Sequence, residues 1–280
     1  MLNVRPNPLN VTQEDDHGSR KENMPSVLVE PQTVQTRRGT CGVVIPCHNY
    51  GRFLAEAFGS VLAQTRLPDE VVIINDGSTD DSAEIADSLA EGRPWVRVLH
   101  RSPAGGAPNT FNLGIRSTST DYVVVLSADD RLSPSYLERS AQLLDEGADV
   151  ALSALKRFGN VESFVPPRDF DLDRTLIANE HHGSYLMRRS VFDLVGGYSE
   201  DVTREDWDFW VCAMTKGVKG ALAPECWVEY RQHGPSRNQM SKWAGWRDRA
   251  RIWKRHHRNI GTMRLLRALV REAGQRAFAR

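Results

Sequence analysis

The sequence predicts an α/β fold in which a mostly parallel central sheet is flanked by helices and followed by a C-terminal helical extension. Short apolar runs, typical of buried strands, recur along the first half of the chain. Stretches with apolar residues at helical spacing separate these runs, and this alternation indicates βαβ units with a parallel sheet covered on both faces. The last 40 residues or so mix basic and apolar side chains and predict two basic helices, broken around 259–261.

The elements of the first half follow in regular order. Strands are predicted at residues 42–47, 70–75, 96–100 and 122–127. Amphipathic helices are predicted between them, at residues 54–62, 85–89 and 107–116. Ser133 and Pro134 predict the N-cap and the first residue of a further helix, because Ser caps free amides and Pro needs no amide of its own.

The second half has a weaker periodicity. Strands are predicted near residues 150–155 and 226–231, helices near 189–195 and 206–216, and a loop over 158–177. Residues 1–39 are polar, dotted with proline and aperiodic, which predicts a disordered or loosely packed leader. We therefore expect three segments: the leader at 1–39, one domain at 40–240, and a basic helical extension at 241–280.

The charge balance of the 280-residue chain is even, with 36 basic and 36 acidic residues, but it is unevenly distributed. Residues 242–280 hold 12 Lys and Arg against 2 Asp and Glu, which leaves 24 against 34 in an acidic remainder. The composition excludes collagen, a coiled coil and wholesale disorder. No apolar run approaches the ~18 residues of a membrane span, no secretory signal precedes the domain, and no C-x-x-C pair occurs, so we expect a cytoplasmic protein with reduced cysteines.

Polar residues cluster where the predicted strands end, which is where parallel sheets bind ligands. Asp129 and Asp130 directly follow the fourth strand, and adjacent carboxylates repel each other unless a cation lies between them and an anion. They predict a Mg²⁺ or Mn²⁺ site that also binds substrate phosphates; the alternative is a solvated turn with a capping Asp. Asp76, after the second strand, could accept hydrogen bonds from a base or sugar, or belong to a turn and N-cap.

Three further groups of polar residues lie in the second half. Glu205 and Asp206 begin a predicted helix, where they could present a general base or simply interact with the helix dipole. Arg231 and His233 end a predicted strand, where the Arg could bind a phosphate and the His could bind a metal or be structural. Residues 181–183 (His-His-Gly) fall in a predicted loop that faces the same cleft or is merely polar.

The order of these motifs is more specific than any one of them. IPCHNYGRFL, NDGSTD, SADD, REDWDFW and YRQH follow one another over residues 40–238, and this string resembles the family 2 inverting glycosyltransferases of GT-A fold. The resemblance implies a Rossmann-like GT-A domain and transfer of a sugar, with inversion, from a nucleotide-diphosphate donor to an acceptor hydroxyl. UDP is the default nucleotide, and Mn²⁺ or Mg²⁺ is the implied cofactor.

The resemblance also implies roles for the donor-side residues. The nucleotide would be contacted by Pro46, His48, Asn49, Tyr50, Asp76, Gly106, Asn112, Ala128 and Asp129, with Asp76 on the base, commonly uracil. Phe111 stands where Arg is common in the family, and Ser127 replaces the first Asp of the D-x-D-like motif. The implied metal ligands are Asp129, Asp130 and His233.

On the opposite side, the resemblance makes Asp206 of the Glu205–Asp206 pair the catalytic base. His181, His182, Gly183 and Arg231 are placed on the acceptor or diphosphate side. The alternative is a sugar-nucleotide-binding protein of GT-A type with weak or no activity, which Ser127 favours and the intact Asp129, Glu205 and Asp206 oppose. A Rossmann oxidoreductase is excluded because no G-x-G-x-x-G follows the first strand.

The basic extension has two open interpretations. Its tryptophans and leucines could pack on the acidic domain or form a homodimer contact, or they could make a peripheral contact with anionic lipid at the inner face of the membrane. No nucleic-acid recognition module accompanies the charge, so no nucleic acid partner is expected.

Overall fold

The computed structural model describes residues 38–233 and 242–278; the predicted leader, except for its last two residues, lies outside them. The first half contains β1 (Cys41–Cys47), α1 (Gly51–Leu62), β2 (Glu70–Asp76), α2 (Ser82–Ala90), β3 (Val96–Arg101), α3 (Ala107–Ser117), β4 (Tyr122–Val125), β5 (Arg131–Leu132) and α4 (Tyr136–Asp145). The second half contains β6 (Val150–Gly159), β7 (Ser163–Val165), α5 (Leu172–Thr175), β8 (Leu186–Arg188), α6 (Arg189–Val195), α7 (Glu205–Thr215), β9 (Gly220–Gln232), α8 (Lys242–Ile260) and α9 (Thr262–Phe278).

These strands form one mixed sheet in the order β3-β2-β1-β4-β8-β6-β9-β5, with β7 paired to β6. The β3-β2-β1-β4 block and the β6–β9 pair are parallel, whereas β8, β7 and β5 pair antiparallel with their neighbours. The predicted α/β class is therefore confirmed, with more antiparallel pairing at the C-terminal side than the sequence indicates.

The parallel block is buried on both faces, as its uninterrupted apolar strands predict. In β1, Val43 and Ile45 pack into one apolar cluster with Leu54 of α1, while Val44 packs on the other face with Ile115 of α3. Each such side chain contributes roughly 1.5–3 kcal/mol by leaving water. This packing fixes the C-terminal ends of β1, β2 and β4, from which the loops of the candidate site emerge.

The predicted N-cap at Ser133 is wrong, because α4 begins at Tyr136. The Ser133 hydroxyl instead accepts a hydrogen bond from the Trp227 amide of β9 (3.0 Å). Gln64, from the end of α1, accepts a hydrogen bond from the Leu137 amide in the first turn of α4 (2.9 Å). The predicted loop over 158–177 is also wrong in part, since it contains the end of β6, all of β7 and the short helix α5.

The two basic helices of the extension are confirmed, and Gly261 separates them with a φ of 78°. Helix α8 packs on α7 through an apolar cluster that includes Trp207, Val211 and Ile252. A buried ion pair reinforces this contact, with the Asp208 carboxylate of α7 2.8 Å from His256 Nε2 of α8. Within the described residues, no helix is both long and apolar enough to cross a membrane.

Candidate active site

The main cavity of the described chain has a volume of about 1390 Å³ and opens at the C-terminal ends of β1, β2 and β4. Most of the sequence-predicted site residues line it: Pro46, His48, Tyr50, Asp76, Gly106, Ala128, Asp129, Asp130, His181, His182, Gly183, Glu205 and Asp206. Asn49, Asn112, Arg231 and His233 do not line it. The structure therefore brings the donor-side and base-side residues to one cavity, although they come from separate parts of the sequence.

Asn49 holds two loops together next to this cavity. It has a φ of 57°, a left-handed conformation that Asn tolerates better than most residues. Its side-chain oxygen accepts a hydrogen bond from the Thr79 amide (2.7 Å), and its own amide donates to Ser78 Oγ (3.0 Å). Asn49 thus ties the loop after β1 to the loop after β2.

Asp76 is nearly buried, with 4% of its surface exposed, and its carboxylate organises the loop before α3. It accepts hydrogen bonds from the amides of Gly105 (2.8 Å) and Gly106 (3.0 Å) and lies 3.5 Å from the Arg101 guanidinium. His48 Nδ1 donates to the Asp76 carbonyl (2.7 Å). Contact between Asp76 and the nucleotide base stays a prediction. In such a contact the Asp76 carboxylate would already be held in position by the Gly105 and Gly106 amides.

Asn112 has a structural role in this conformation. Its side-chain amide donates to the Tyr198 carbonyl (2.9 Å) and accepts from the Tyr198 amide (2.8 Å), in the manner of a paired strand. This pairing joins α3 to the segment before α7. Phe111, which replaces the arginine common in the family, lines the cavity and packs edge-on against Tyr198.

The two carboxylates after β4 face different surroundings. Asp129 lines the cavity, and its Oδ2 lies 2.9 Å from His233 Nε2. Asp130 is 2% exposed and accepts a hydrogen bond from the Arg231 amide (2.9 Å). Burial, followed by the neighbouring Asp129 charge, raises the pKa of Asp130 well above its usual range. Asp129 is therefore the more accessible of the two carboxylates to a ligand in the cavity.

Arg231 shapes this part of the chain from outside the cavity. Its Nε donates to the Asp129 carbonyl (2.8 Å), and its guanidinium pairs with Glu56 of α1. The same group is stacked between Phe53 and Phe158, 4.7 and 4.4 Å from the ring centres. These contacts orient the Asp129–Asp130 turn. They engage the guanidinium of Arg231, which the sequence predicted would bind a phosphate.

The fit of a divalent cation follows from this arrangement. Among the described residues, no group of three or more His, Cys, Asp and Glu is assembled to hold a metal ion. Asp129 and His233 offer one carboxylate oxygen and one imidazole nitrogen close together, which is a partial ligand set for Mn²⁺ or Mg²⁺. Such ions commonly complete their coordination with substrate phosphates and water, so Asp129 and His233 fit a divalent cation as part of its ligand set.

Asp206 lies in the first turn of α7 and lines the same cavity as the loops after β1 and β2. Its Oδ1 accepts a hydrogen bond from the Trp207 amide (2.8 Å), and its Oδ2 accepts one from Asn179 Nδ2 (3.2 Å). Gly183 lies against it, since a Cβ on Gly183 would be 3.5 Å from Asp206 Cβ. Glu205 is 5% exposed. Asp206 is thus the more accessible carboxylate of the pair and is held in a defined orientation.

His181 and His182 form a neutral wall beside Asp206. Burial lowers the pKa of each to about 4, so neither is protonated near pH 7. His182 Nε2 donates to the Ser153 carbonyl (3.2 Å), and Trp210 Nε1 donates to the His182 carbonyl (3.0 Å). The polar loop that the sequence predicts here is therefore packed against α7 and β6.

The sequence implied no site role for several residues that line the cavity, among them Arg204, the first residue of the REDWDFW motif. The others are Arg157, Arg168, Trp246 and Arg249. Arg157 and Arg168 flank β7, which the sequence did not predict. Trp246 and Arg249 lie on α8, and only tertiary packing brings that helix to the cavity. The sequence does contain one indication that α8 packs on the domain, because Asp248 is an isolated acid in a basic segment. In the structure Asp248 is 1% exposed and accepts hydrogen bonds from the Thr203 amide and hydroxyl.

A curled α/β sheet with this cavity at its strand ends defines a GT-A-type nucleotide-sugar transferase fold. The family model described as "Glycosyl transferase family 2" matches residues 42–199, more than half of the chain, and the chain belongs to that family. The match ends before Asp206 and the extension.

Individual relatives agree with this assignment. The chain is 32% identical to "Glycosyltransferase GlyG" of Streptococcus pneumoniae over 160 residues, 54% of this chain and 53% of that protein. It is 25% identical to "Uncharacterized glycosyltransferase EpsJ" of Bacillus subtilis over 71% of this chain and 62% of that one. The chain thus spans little more than half the length of such relatives.

Among solved structures, S. aureus TarS 1–349 in complex with UDP-GlcNAc is similar in fold. It superposes with a TM-score of 0.61 at 18% sequence identity, over 72% of this chain and 61% of that chain. The GT-A fold class implied by the sequence motifs is confirmed by this similarity.

Proposed function

We propose that this chain is a glycosyltransferase that moves a sugar from a nucleotide-diphosphate donor, a UDP-sugar, to an acceptor hydroxyl with inversion. The observation that carries the proposal is that Asp129 and Asp206, from distant parts of the sequence, line one cavity. Family membership and the UDP-GlcNAc complex of TarS support the donor class. The alternative is a sugar-nucleotide-binding protein without transfer activity, to which the replacement of the first D-x-D acid by Ser127 lends support.

The donor diphosphate is proposed to lie beside Asp129. Asp129 and His233 would hold Mn²⁺ or Mg²⁺, which when bound acts as a Lewis acid and neutralises the charge developing on the leaving diphosphate. Arg231 fixes the Asp129 backbone carbonyl and so keeps this carboxylate at the cavity wall. The nucleotide would then extend toward the loops around His48, Asp76 and Gly106.

Asp206 is proposed to act as general base on the acceptor. A hydroxyl is a weak nucleophile near pH 7, and removal of its proton by a positioned carboxylate contributes typically about 10²–10⁴-fold in rate. The Trp207 amide and Asn179 hold the Asp206 carboxylate in place. Attack from this side, opposite the leaving diphosphate, gives one displacement and therefore inversion at the anomeric carbon, as in inverting glycosidases.

Replacement of the base tests this function. We expect Asp206→Asn to lower the transfer rate at least 100-fold, because the amide cannot take a proton, while the Kd for UDP with Mn²⁺ changes less than threefold. Transfer is measured as UDP release that depends on an acceptor, and UDP binding as a thermal shift. The exposed Asp193→Asn on α6 is the matched control and should keep both properties.

Two outcomes would contradict the proposal in different ways. If Asp206→Asn turns over near the wild-type rate, Asp206 is not the general base. Wild-type protein that binds UDP-sugars but releases no UDP with any of a panel of saccharide, lipid and peptide acceptors is the binding protein of the alternative.

Homodimer and membrane contacts of the extension stay predictions, as does a cytoplasmic location. Met263, Leu266 and Val270 of α9 are exposed and stand among arginines in the sequence, a pattern that suits either contact.

A further inference from the structure

The cavity is larger than one substrate requires. Small-molecule sites typically occupy about 300–1,000 Å³, whereas this cavity measures about 1390 Å³. Besides the loops around Asp129 and Asp206, its lining includes residues of β6, of β7 and the segment after it, and of α8. We call this part the acceptor end; it is lined by Arg157, Val165, Pro166, Arg168, Arg204, Trp246 and Arg249.

Arginines outnumber carboxylates among the residues that line the acceptor end. Four arginines line it, and Glu180, the carboxylate among them, already pairs with Arg168 (2.5 Å) and with Arg174 (2.9 Å). Glu205 and Asp206 lie at its inner boundary. An Arg-rich wall of this kind is suited to bind phosphate or carboxylate groups, because the guanidinium is always charged and donates in a planar fork.

Two of these arginines have no carboxylate partner within the described parts of the chain. Arg157 donates to Ser163 Oγ (3.2 Å), a neutral group. Arg204 lies 6.0 Å from the Trp207 ring centre and close to Gly245 of α8, where a Cβ would be 3.2 Å from its guanidinium. Arg204 directly precedes the Glu205–Asp206 pair, so an anion bound to it would be within reach of the proposed base.

Helix α8 is anchored firmly enough to form a wall of a binding site. Asp248 binds the Thr203 hydroxyl (2.8 Å), and Arg249 donates to the Ile177 carbonyl (3.3 Å). Trp246 projects into the cavity and is 47% exposed, with the Arg249 guanidinium 3.9 Å from its ring centre. An exposed indole at a cavity wall offers an apolar surface for the C–H face of a sugar ring.

We propose, on the basis of the function proposed above, that the acceptor is a saccharide bearing an anionic group, phosphate or carboxylate, that Arg157 and Arg204 bind. Trp246 of α8 packs against its sugar ring. The acceptor end is therefore built jointly by the β6–β7 hairpin, the start of α7 and the C-terminal extension. The donor diphosphate lies elsewhere, beside Asp129, so these arginines are specific to the acceptor.

The test measures binding of probe sugars to the full-length protein saturated with UDP and Mn²⁺, which blocks the donor end. Isothermal titration compares glucose 6-phosphate, glucuronate and glucose. We expect at least one anionic sugar to bind at least tenfold more tightly than glucose, with an affinity that falls as salt increases. Whichever of the two binds better identifies phosphate or carboxylate as the preferred group.

Variants assign the effect to these side chains. Arg157→Gln and Arg204→Gln are each expected to weaken the anionic sugar at least tenfold, leaving glucose affinity and UDP Kd within twofold. Arg139→Gln, at an exposed Arg on α4 that pairs with Glu225, is the matched control and should change nothing. Thermal unfolding of every variant confirms that it is folded.

The outcomes separate this inference from the function on which it rests. If UDP does not bind at all, the proposed function fails, and the inference with it. If UDP binds but glucose 6-phosphate and glucuronate bind no better than glucose, the inference alone is overturned. It is also overturned if Arg157→Gln and Arg204→Gln weaken UDP rather than the sugar, because these arginines would then serve the donor.

Discussion

The two ends of the cavity are built in different ways. At the donor end, polar side chains bind backbone amides of adjacent loops: Asn49 binds the Thr79 amide, and Asp76 binds those of Gly105 and Gly106. At the acceptor end, the wall is brought in by α8, which is held through the buried Asp208–His256 pair and the Asp248–Thr203 hydrogen bonds. The donor end is therefore part of the sheet, whereas the acceptor end depends on a docked helix.

This difference separates the consequences of mutation. Changes at the α7–α8 contact should loosen the acceptor end and leave UDP binding intact. Changes after β4 should damage donor chemistry while the extension stays docked. A result that mixed the two effects would show that the ends are coupled.

The largest expected effect on stability comes from Asp208→Ala. It removes the partner of a buried histidine, and breaking such a pair costs about 3–5 kcal/mol in the free energy of unfolding. Urea denaturation measures the loss. The control is Asp201→Ala, which removes an exposed partner of Arg255 and should cost less than about 1 kcal/mol. Equal losses in the two variants would mean that the buried pair does not anchor α8.

The same pair gives a dependence on alkaline pH. Although burial lowers it, hydrogen bonding to the Asp208 carboxylate and to Cys212 raises the pKa of His256 to about 9. A raised pKa in the folded state stabilises fully below the unfolded value of about 6.5, and this stabilisation is lost as the pH rises through 9. We expect wild-type stability to fall over this range and Asp208→Ala to show a smaller fall; parallel curves would contradict this role of the pair.

The next effect concerns Asp129 at the donor end. We expect Asp129→Asn to lower transfer about 100-fold, equivalent to about 2.7 kcal/mol of transition-state stabilisation, and to abolish the response to Mn²⁺. Asp130→Asn is the matched comparison. Asp130 is buried against the Arg231 amide, and the Asn side chain keeps an acceptor for that amide, so the Mn²⁺ response should persist. If Asp130→Asn lost the Mn²⁺ response and Asp129→Asn kept it, Asp130 rather than Asp129 would be the metal ligand.

The smallest expected effect is on acid stability. The pKa of buried His181 is lowered to about 4, so the unfolded chain binds the proton more readily, and stability falls as the pH drops from 6.5 towards 4. His181→Phe removes this contribution and should reduce the loss between pH 7 and 5.5 by about 1 kcal/mol. Urea denaturation at the two pH values measures it. An unchanged loss would show that His181 is solvated in the native protein.

The sequence predicts the parallel part of the sheet better than the parts that depend on contacts between distant segments. The strands β1 to β4 and their helices carry their own periodicity, because each βαβ unit folds its apolar face onto its immediate neighbours. Ser133 shows the limit of a local signal, since its hydroxyl binds the distant Trp227 amide and Gln64 supplies a contact to the first turn of α4. Short elements such as β7 are specified by pairing with β6, which three residues cannot reveal by themselves.

The site shows the same limit. The motif order located Asp129 and Asp206, and the structure brings them to one cavity. The resemblance places Asp129 on the nucleotide and both Asp129 and Asp130 on the metal. The physical difference between the two carboxylates, burial of Asp130 against the Arg231 amide and contact of Asp129 with His233, arises only in the fold. Arg157 belongs to no motif, and Arg204 begins the REDWDFW motif without a role of its own being implied there. Their importance depends on which carboxylates lie nearby, and that is known only after the chain has folded.

The docking of α8 also determines where the C-terminal boundary of a recombinant protein can be placed. A shortened chain that ended at His233 would keep every strand of the described sheet. It would nevertheless leave Trp207 and Val211 facing water and the Asp208 carboxylate without its histidine. Such a fragment is expected to aggregate, so recombinant boundaries should extend through α9 rather than follow the family match.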